Sequence, residues 1–274
     1  MTILIGLLAP LSIGLADHIG TNVGRRGRLL ATVLSIYVFT LLSTLILAVW
    51  RGGSPTVSDL VLGACSGVSS GMGLIQLYRG YTTRGTGIVG PVAAVTGAVV
   101  PIGADTIVSG LPSTVVGSGL VVGLVAVWLI GMKNPGAEWD LIAMKHGLAS
   151  GVMFGITATL LGLTGDDAGI WPVVPGRVVA VAFILLLILI RRQAIRPHPG
   201  TVSRTAMVGM LGGIGLGTFT LAAQVNLAVA GLFFQMAYGV TVVFQVLFSG
   251  ERTTRIQQAG FGVAIVALSL IILG

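Results

Sequence analysis

Gly131-Met132-Lys133-Asn134-Pro135-Gly136-Ala137-Glu138-Trp139-Asp140 is the polar stretch that divides five apolar segments from five. Before it the segments run over residues 2–20, 29–50, 57–78, 86–108 and 114–131, and after it over 141–163, 170–190, 203–224, 227–249 and 255–273. Most are close to the roughly 20 residues a helix needs to cross a hydrocarbon core about 30 Å thick. The basic residues agree. Thirteen of the fifteen Lys and Arg fall in the odd-numbered gaps: Arg25, Arg26 and Arg28, then Arg79 and Arg84, Lys133 and Lys145, Arg191, Arg192, Arg196 and Arg204, and Arg252 and Arg255. Only Arg51 and Arg177 fall on the other side. Positive charge in alternate short loops marks the cytoplasmic side of a threaded chain. The expectation is an all-α membrane protein of ten transmembrane helices with both termini outside.

Composition allows no soluble alternative. With 54% hydrophobic residues, 8% charged and a mean hydropathy of +1.02, the chain has too few polar groups to cover a globular surface. A net charge of +7 would suggest nucleic acid in a soluble protein, but here the charges sit in loops and suit anionic lipid headgroups. Membrane lipids are therefore expected partners and nucleic acid is not. The single cysteine, Cys65, lies in an apolar span, so neither a disulfide framework nor a cysteine metal site is expected. The start, Met1-Thr2-Ile3-Leu4, has no basic region and no small-residue cleavage site follows, so the first segment reads as a retained helix. Arg outnumbers Lys thirteen to two in a chain rich in Gly, Ala and Val, which points to a bacterial plasma (inner) membrane.

The two sides of the dividing stretch are alike. Segments three and eight each carry overlapping GxxxG patterns, Gly63, Gly67, Gly71 and Gly209, Gly213, Gly217, and segments four and nine end in Ser109-Gly110 and Ser249-Gly250. Five spans per half force the second copy upside down. Arg25, Arg26 and Arg28 follow the first span, whereas Asp166 and Asp167 follow its counterpart, the sixth. Two inverted five-helix repeats, residues 1–134 and 135–274, are expected, an architecture of secondary transporters with a site at the repeat interface.

Gly250-Glu251-Arg252, followed by Gln257-Gln258-Ala259-Gly260 and an apolar helix, resembles the C-terminal signature of EamA-type members of the drug/metabolite transporter superfamily. Leu77-Tyr78-Arg79 leading to Gly90-Pro91-Val92 and Pro101, and Asp166 to Pro172 with Arg177, are similar in turn, so the resemblance covers essentially the whole chain. The first half departs from the pattern: Ser109-Gly110-Leu111-Pro112 has no Glu-Arg pair. The resemblance implies a ten-helix basket with a cavity lined by spans one to four and six to nine, five and ten being peripheral. It also implies cytoplasmic termini, against the charges, and export of a small metabolite.

Individual residues give finer expectations. In lipid the glycine faces pack helices closely, and Cys65, Ser69 and Gln76 fall on the face opposite Gly63, Gly67 and Gly71, where they line a cavity or bond within the helix layer. Gly231, Gln235, Tyr238 and Gln245 form one stripe of span nine, either lining a cavity or bonding between helices; Tyr78 is counted with the cavity lining. Pro91 and Pro101 are expected to kink span four. Asp17 beside His18 is either a proton-carrying pair or an interfacial one. Arg177 is an outer-mouth latch to Asp166 and Asp167 or an interfacial arginine, and Asp105 a mouth or interfacial residue. Trp50, Trp128, Trp139 and Trp171 read as an aromatic belt.

These residues point to a secondary transporter of a small polar solute, probing the two sides of the membrane alternately and functional as a monomer. No catalytic residue, metal or cofactor is expected, and no GxxxxGK loop for ATP occurs. A flippase for a lipid-linked sugar, using Arg79 and Arg84 for phosphate, is the first rival, and a noncatalytic assembly partner the second. So few acids and histidines, mostly at span ends, argue against an intramembrane enzyme.

Overall fold

The computed structural model describes residues 2–20, 29–83, 86–131, 140–198, 200–249 and 254–273. The dividing point at 134/135, Arg25, Arg26, Arg28, Arg84, Lys133, Trp139 and the Gly250-Glu251-Arg252 signature lie outside the described residues, as does the Gln245 side chain. Regular structure over the described residues is helical throughout: α1 Thr2–Gly20, α2 Leu29–Arg51, α3 Val57–Thr83, α4 Thr86–Ser109, α5 Thr114–Gly131, α6 Leu141–Gly162, α7 Val173–Ile190, α8 Val202–Ala223, α9 Leu227–Gln235, α10 Ala237–Ser249 and α11 Arg255–Leu273, with a 3-10 turn at Asp166–Ala168 before α7. Seven stretches are long and apolar enough to cross a membrane, one of them the α9–α10 run Leu227–Phe248. Two further apolar helices, Thr114–Ile130 and Arg255–Ile271, are shorter. By length and composition this is a multi-pass membrane protein.

Lipid is as apolar as leucine, so helices here associate through close packing and polar contacts instead of hydrophobic drive. The glycines show how. Gly63 and Gly67 of α3 press on the main-chain carbonyls of Pro172 and Gly176 at the start of α7, and Gly209 and Gly213 of α8 press on those of Ile36 and Thr40 in α2. Gly147 and Gly151 of α6 bring that helix onto the Val89 and Ala93 carbonyls of α4. Ser150 adds a hydrogen bond from α6 to the Gly73 carbonyl of α3 at 3.0 Å. α1 packs on α8 and α10, α2 on α8 and α7, α3 on α6 and α7, α4 on α6 and α9, and α5 on α11.

Helix starts are capped by their own sequences. Thr254 and Gln257 form a reciprocal box at α11: the Gln257 N–H donates to Thr254 Oγ1 at 3.2 Å and the Thr254 N–H to Gln257 Oε1 at 3.0 Å. The remaining amide of Gln257 donates to the Ile130 carbonyl at 3.1 Å, and Gly260 lies against the Ile130 amide nitrogen, so the Gln257 to Gly260 stretch joins α11 to the end of α5. Asp140 caps α6 through the Ile142 and Ala143 amides at 2.9 and 3.2 Å.

α4 is a single helix that includes Pro91 and Pro101. Span nine, expected as one helix over 227–249, is interrupted at Met236, between α9 and α10. There the Met236 carbonyl accepts both the Gly239 N–H at 2.8 Å, an i to i+3 bond that tightens the chain, and the Val240 N–H at 3.2 Å.

Candidate functional site

A cavity lies among α1, α2, α3, α6, α7, α8, α9 and α10, leaving about 150 Å³ in which the centre of a water-sized body can move. A single water needs roughly 10–15 Å³ on that measure, so the space suits a small solute. Among the described residues none of α4, α5 or α11 is in the lining, whereas the resemblance implied a contribution from span four. Most of the wall is aliphatic or aromatic, including Leu74, Leu77, Phe154, Leu216, Phe219 and Phe234. Against it stand Asp17, Tyr37, Thr40, Ser70, Tyr78, Thr157, Arg177, Gln235 and Tyr238.

Arg177 is the largest departure from the sequence reading. It lies in the second turn of α7 and is 3% exposed, so it is neither an interfacial residue nor a latch to Asp166 and Asp167, which are exposed in the 3-10 turn. The close approach of Gly67 to Gly176 draws that turn of α7 against α3, and the neighbouring guanidinium is carried inward. One terminal nitrogen of Arg177 donates to Ser70 Oγ at 2.8 Å, and the guanidinium carbon stands 4.9 Å from the Tyr37 ring centroid. Ser70 is the central residue of the 27-residue α3, so the charge sits half-way along that helix. Nε of Arg177 is buried without a hydrogen-bond partner, and its interactions are with Ser70 and Tyr37, with no carboxylate among the described residues. Burying an unpaired ion costs several kcal/mol even after relaxation. A hydrogen bond to a charged group returns about 1.5–3 kcal/mol and a desolvated cation–π contact about 2 kcal/mol, so the guanidinium is only partly compensated.

Asp17 occupies a second polar region. Its carboxylate interacts electrostatically with Tyr78, Tyr81 and Tyr238, and Tyr81 and Tyr238 are hydrogen-bond partners. His18 does not share this setting: its ring packs on Phe244 and Phe248, with centroids 6.3 and 6.2 Å away. Adjacent residues of a helix point about 100° apart, and of this pair Asp17 is in the cavity lining and His18 is not.

Gln235 is 6% exposed at the end of α9, lining the cavity with its amide laid on Gly97 of α4. Tyr238, in the first turn of α10, lines it from beyond the interruption, with its ring edge against Gly90 of α4. Gly231, expected on the same stripe, faces Pro101 instead.

Gln76 and Ser69 do not line the cavity. Ser69 hydrogen-bonds Thr157 of α6 at 2.8 Å and the Ser66 carbonyl at 3.0 Å. The lining residues of α3 are Ser70, Leu74, Leu77 and Tyr78, which continue the side of the helix that carries Gly67 and Gly71. Packing and lining thus share one face at successive depths instead of occupying opposite faces. Asp105 is structural as well: it accepts the Ala228 N–H at 3.2 Å and the Ser109 hydroxyl at 2.9 Å, adding a cap to α9 beside that of Asn226.

The ends of the helices at the even-numbered gaps are tied together. Asp59 Oδ1 accepts the Gly165 N–H at 2.9 Å, the Ser54 N–H donates to the Asp167 carbonyl at 2.7 Å, and the Gln224 amide donates to Thr164 Oγ1 and the Gly169 carbonyl at 2.9 and 3.0 Å. Tyr37, Thr40, Ser70 and Thr157 are lining residues that the sequence did not single out. Only Ser70 carried a signal, as a hydroxyl between Gly67 and Gly71 on the glycine-bearing side.

No protein-family profile and no curated protein matches the chain. A solved structure described as "Crystal structure of protein" is similar with a TM-score of 0.72 at 14% identity, over 99% of this chain and 97% of its own. Identity that low shows a shared fold and nothing further.

Proposed function

We propose that the chain is a secondary transporter for a small polar solute, built as ten spans in two inverted five-helix repeats that expose a central cavity to each side of a bacterial inner membrane in turn. The observation that carries this is the cavity enclosed between the helices, with Arg177, Ser70, Gln235 and Tyr238 set in a mostly apolar wall and bordered by the α9–α10 interruption. An interrupted span beside a midplane site is a recurring feature of such transporters, because it leaves main-chain groups near the cargo.

The pairing of helices supports the repeat. α1 on α8 is matched by α6 on α3, and α2 on α8 by α7 on α3, while α2 with α7, α4 with α9 and α5 with α11 each join a helix to its own counterpart. Gly63 and Gly67 against α7 are matched by Gly209 and Gly213 against α2. The hydrogen bonds at the even-gap end supply a closed side, and their breakage would open it. Export follows the EamA resemblance alone. Of the two arginines that the flippase reading would use, Arg79 is absent from the cavity lining and Arg84 lies outside the described residues.

Thr40, central in the 23-residue α2 and facing the cavity, tests the reading without knowledge of the cargo. In a Cys65→Ala background, Thr40→Cys should react with a membrane-impermeant maleimide in both right-side-out and inside-out vesicles. Reaction from one side alone, at any solute gradient, would exclude alternating access.

A further inference from the structure

We propose that Arg177, Ser70 and Tyr37 form a subsite for a carboxylate on the cargo, and that the cargo is a small solute with one carboxylate on an apolar body; this rests on the transport reading of the same cavity. The guanidinium lines the cavity with its charge unmatched by any carboxylate of the described residues. The described acids on the even-gap side are committed elsewhere: Asp59 to Thr56 and Gly165, Asp105 to Ser109 and Ala228, while Asp166 and Asp167 are exposed. Asp17, which lines the same cavity, interacts with Tyr78, Tyr81 and Tyr238, and Asp140 caps α6.

Ser70 and Tyr37 orient the guanidinium and leave donors over. One terminal nitrogen is taken by Ser70 at 2.8 Å and the Tyr37 side chain both lies alongside and hydrogen-bonds the guanidinium, but Nε has no partner. An arginine held this way presents the fork geometry that matches a carboxylate. One arginine in a largely aliphatic and aromatic wall, whose other ionisable acid is Asp17, favours a singly charged anionic group with an apolar remainder over a phosphate dianion, which calls for more than one positive charge.

Thermal unfolding of the purified protein in phosphatidylcholine nanodiscs tests the subsite with three probes: 3-phenylpropionate, its neutral counterpart 3-phenylpropionamide, and inorganic phosphate. The carboxylate should raise the Tm of the wild-type protein by roughly 5 °C at about a hundred times its Kd, and the amide and phosphate should leave it unchanged. Arg177→Gln should abolish the carboxylate shift, and Arg177→Lys, which keeps charge without the fork, should reduce it. Equal shifts with carboxylate and amide, no shift with the carboxylate, a shift with phosphate alone, or a full carboxylate shift in Arg177→Gln would each overturn the proposal. The wild-type comparison stands even if a variant does not fold. Carboxylate binding without flux into proteoliposomes would remove the transport reading and leave the subsite; flux of neutral solutes with no carboxylate preference would do the reverse.

Discussion

A methyl group on Gly67 would overlap the carbonyl oxygen of Gly176, because α3 and α7 cross with their main chains in contact. Gly213 stands in the same relation to α2, where an added carbon would overlap Ser43 Oγ. Overpacking a tight contact costs about 1–3 kcal/mol. Gly67→Ala and Gly213→Ala should each lower the Tm by several degrees, whereas Gly103→Ala and Gly262→Ala, which have nothing within 4 Å, should leave it nearly unchanged. Thermal unfolding in detergent, followed by size-exclusion chromatography, reads the difference. Equal tolerance at all four positions would mean that the helices do not cross this closely.

Asp105 caps α9 from another helix, so its loss should register in stability more than in binding. Asp105→Ala should cost about 1 kcal/mol, the usual worth of a cap, and Asp105→Asn, which keeps an acceptor for the Ala228 amide, much less. Chemical or thermal unfolding of the two variants checks the order.

Replacing Gln235 or Tyr238 by Ala should weaken cargo binding at least tenfold, since both border the cavity, while Gln76→Ala should change it less than twofold. The contrast is read as the concentration of an identified cargo needed to stabilise each variant. A strong effect at Gln76 would mean that α3 turns a different face inward.

If protons drive movement, Asp17 is the carrier best placed, facing the cavity among Tyr78, Tyr81 and Tyr238. Asp17→Asn should then abolish accumulation driven by a pH gradient and spare exchange of labelled for unlabelled cargo, which moves no net proton. His18→Gln should leave both intact, as its ring packs on Phe244 and Phe248. Full pH-driven accumulation by Asp17→Asn would remove Asp17 from the coupling step.

Sidedness separates the charge pattern from the EamA resemblance. Ser54 is exposed between α2 and α3, and Gln193 is exposed after α7. In a Cys65→Ala background, an impermeant reagent added to intact cells should modify Ser54→Cys and spare Gln193→Cys. The opposite pattern would put the termini in the cytoplasm and show that the loop arginines do not set orientation.

Much of the scaffold is written in one dimension. Span lengths follow from where polar residues interrupt the apolar ones, and Thr254 with Gln257, or Asp140 before Leu141, marks a helix start by chemistry that acts within four residues. The glycine spacing of Gly63 and Gly67 marks a packing face for the same local reason. Gln76 and Ser70 show where such reading stops. Both are polar residues of one apolar helix, yet Ser70 hydrogen-bonds Arg177 in the cavity wall and Gln76 lies outside the lining.

The sequence by itself determined that this chain is helical, apolar and punctuated by basic loops, because crossing hydrocarbon requires every main-chain group to bond within its own helix and charge to stay in water. Only the tertiary structure decided which faces turn inward. A helix in lipid gains nothing hydrophobic by choosing one apolar neighbour over another, so its rotation is fixed by contacts such as Gly67 on Gly176, made with partners more than a hundred residues away. Those contacts carry Arg177 from an apparent helix end to a buried place beside Tyr37 and Ser70, and they set Asp17 and His18 toward different neighbours.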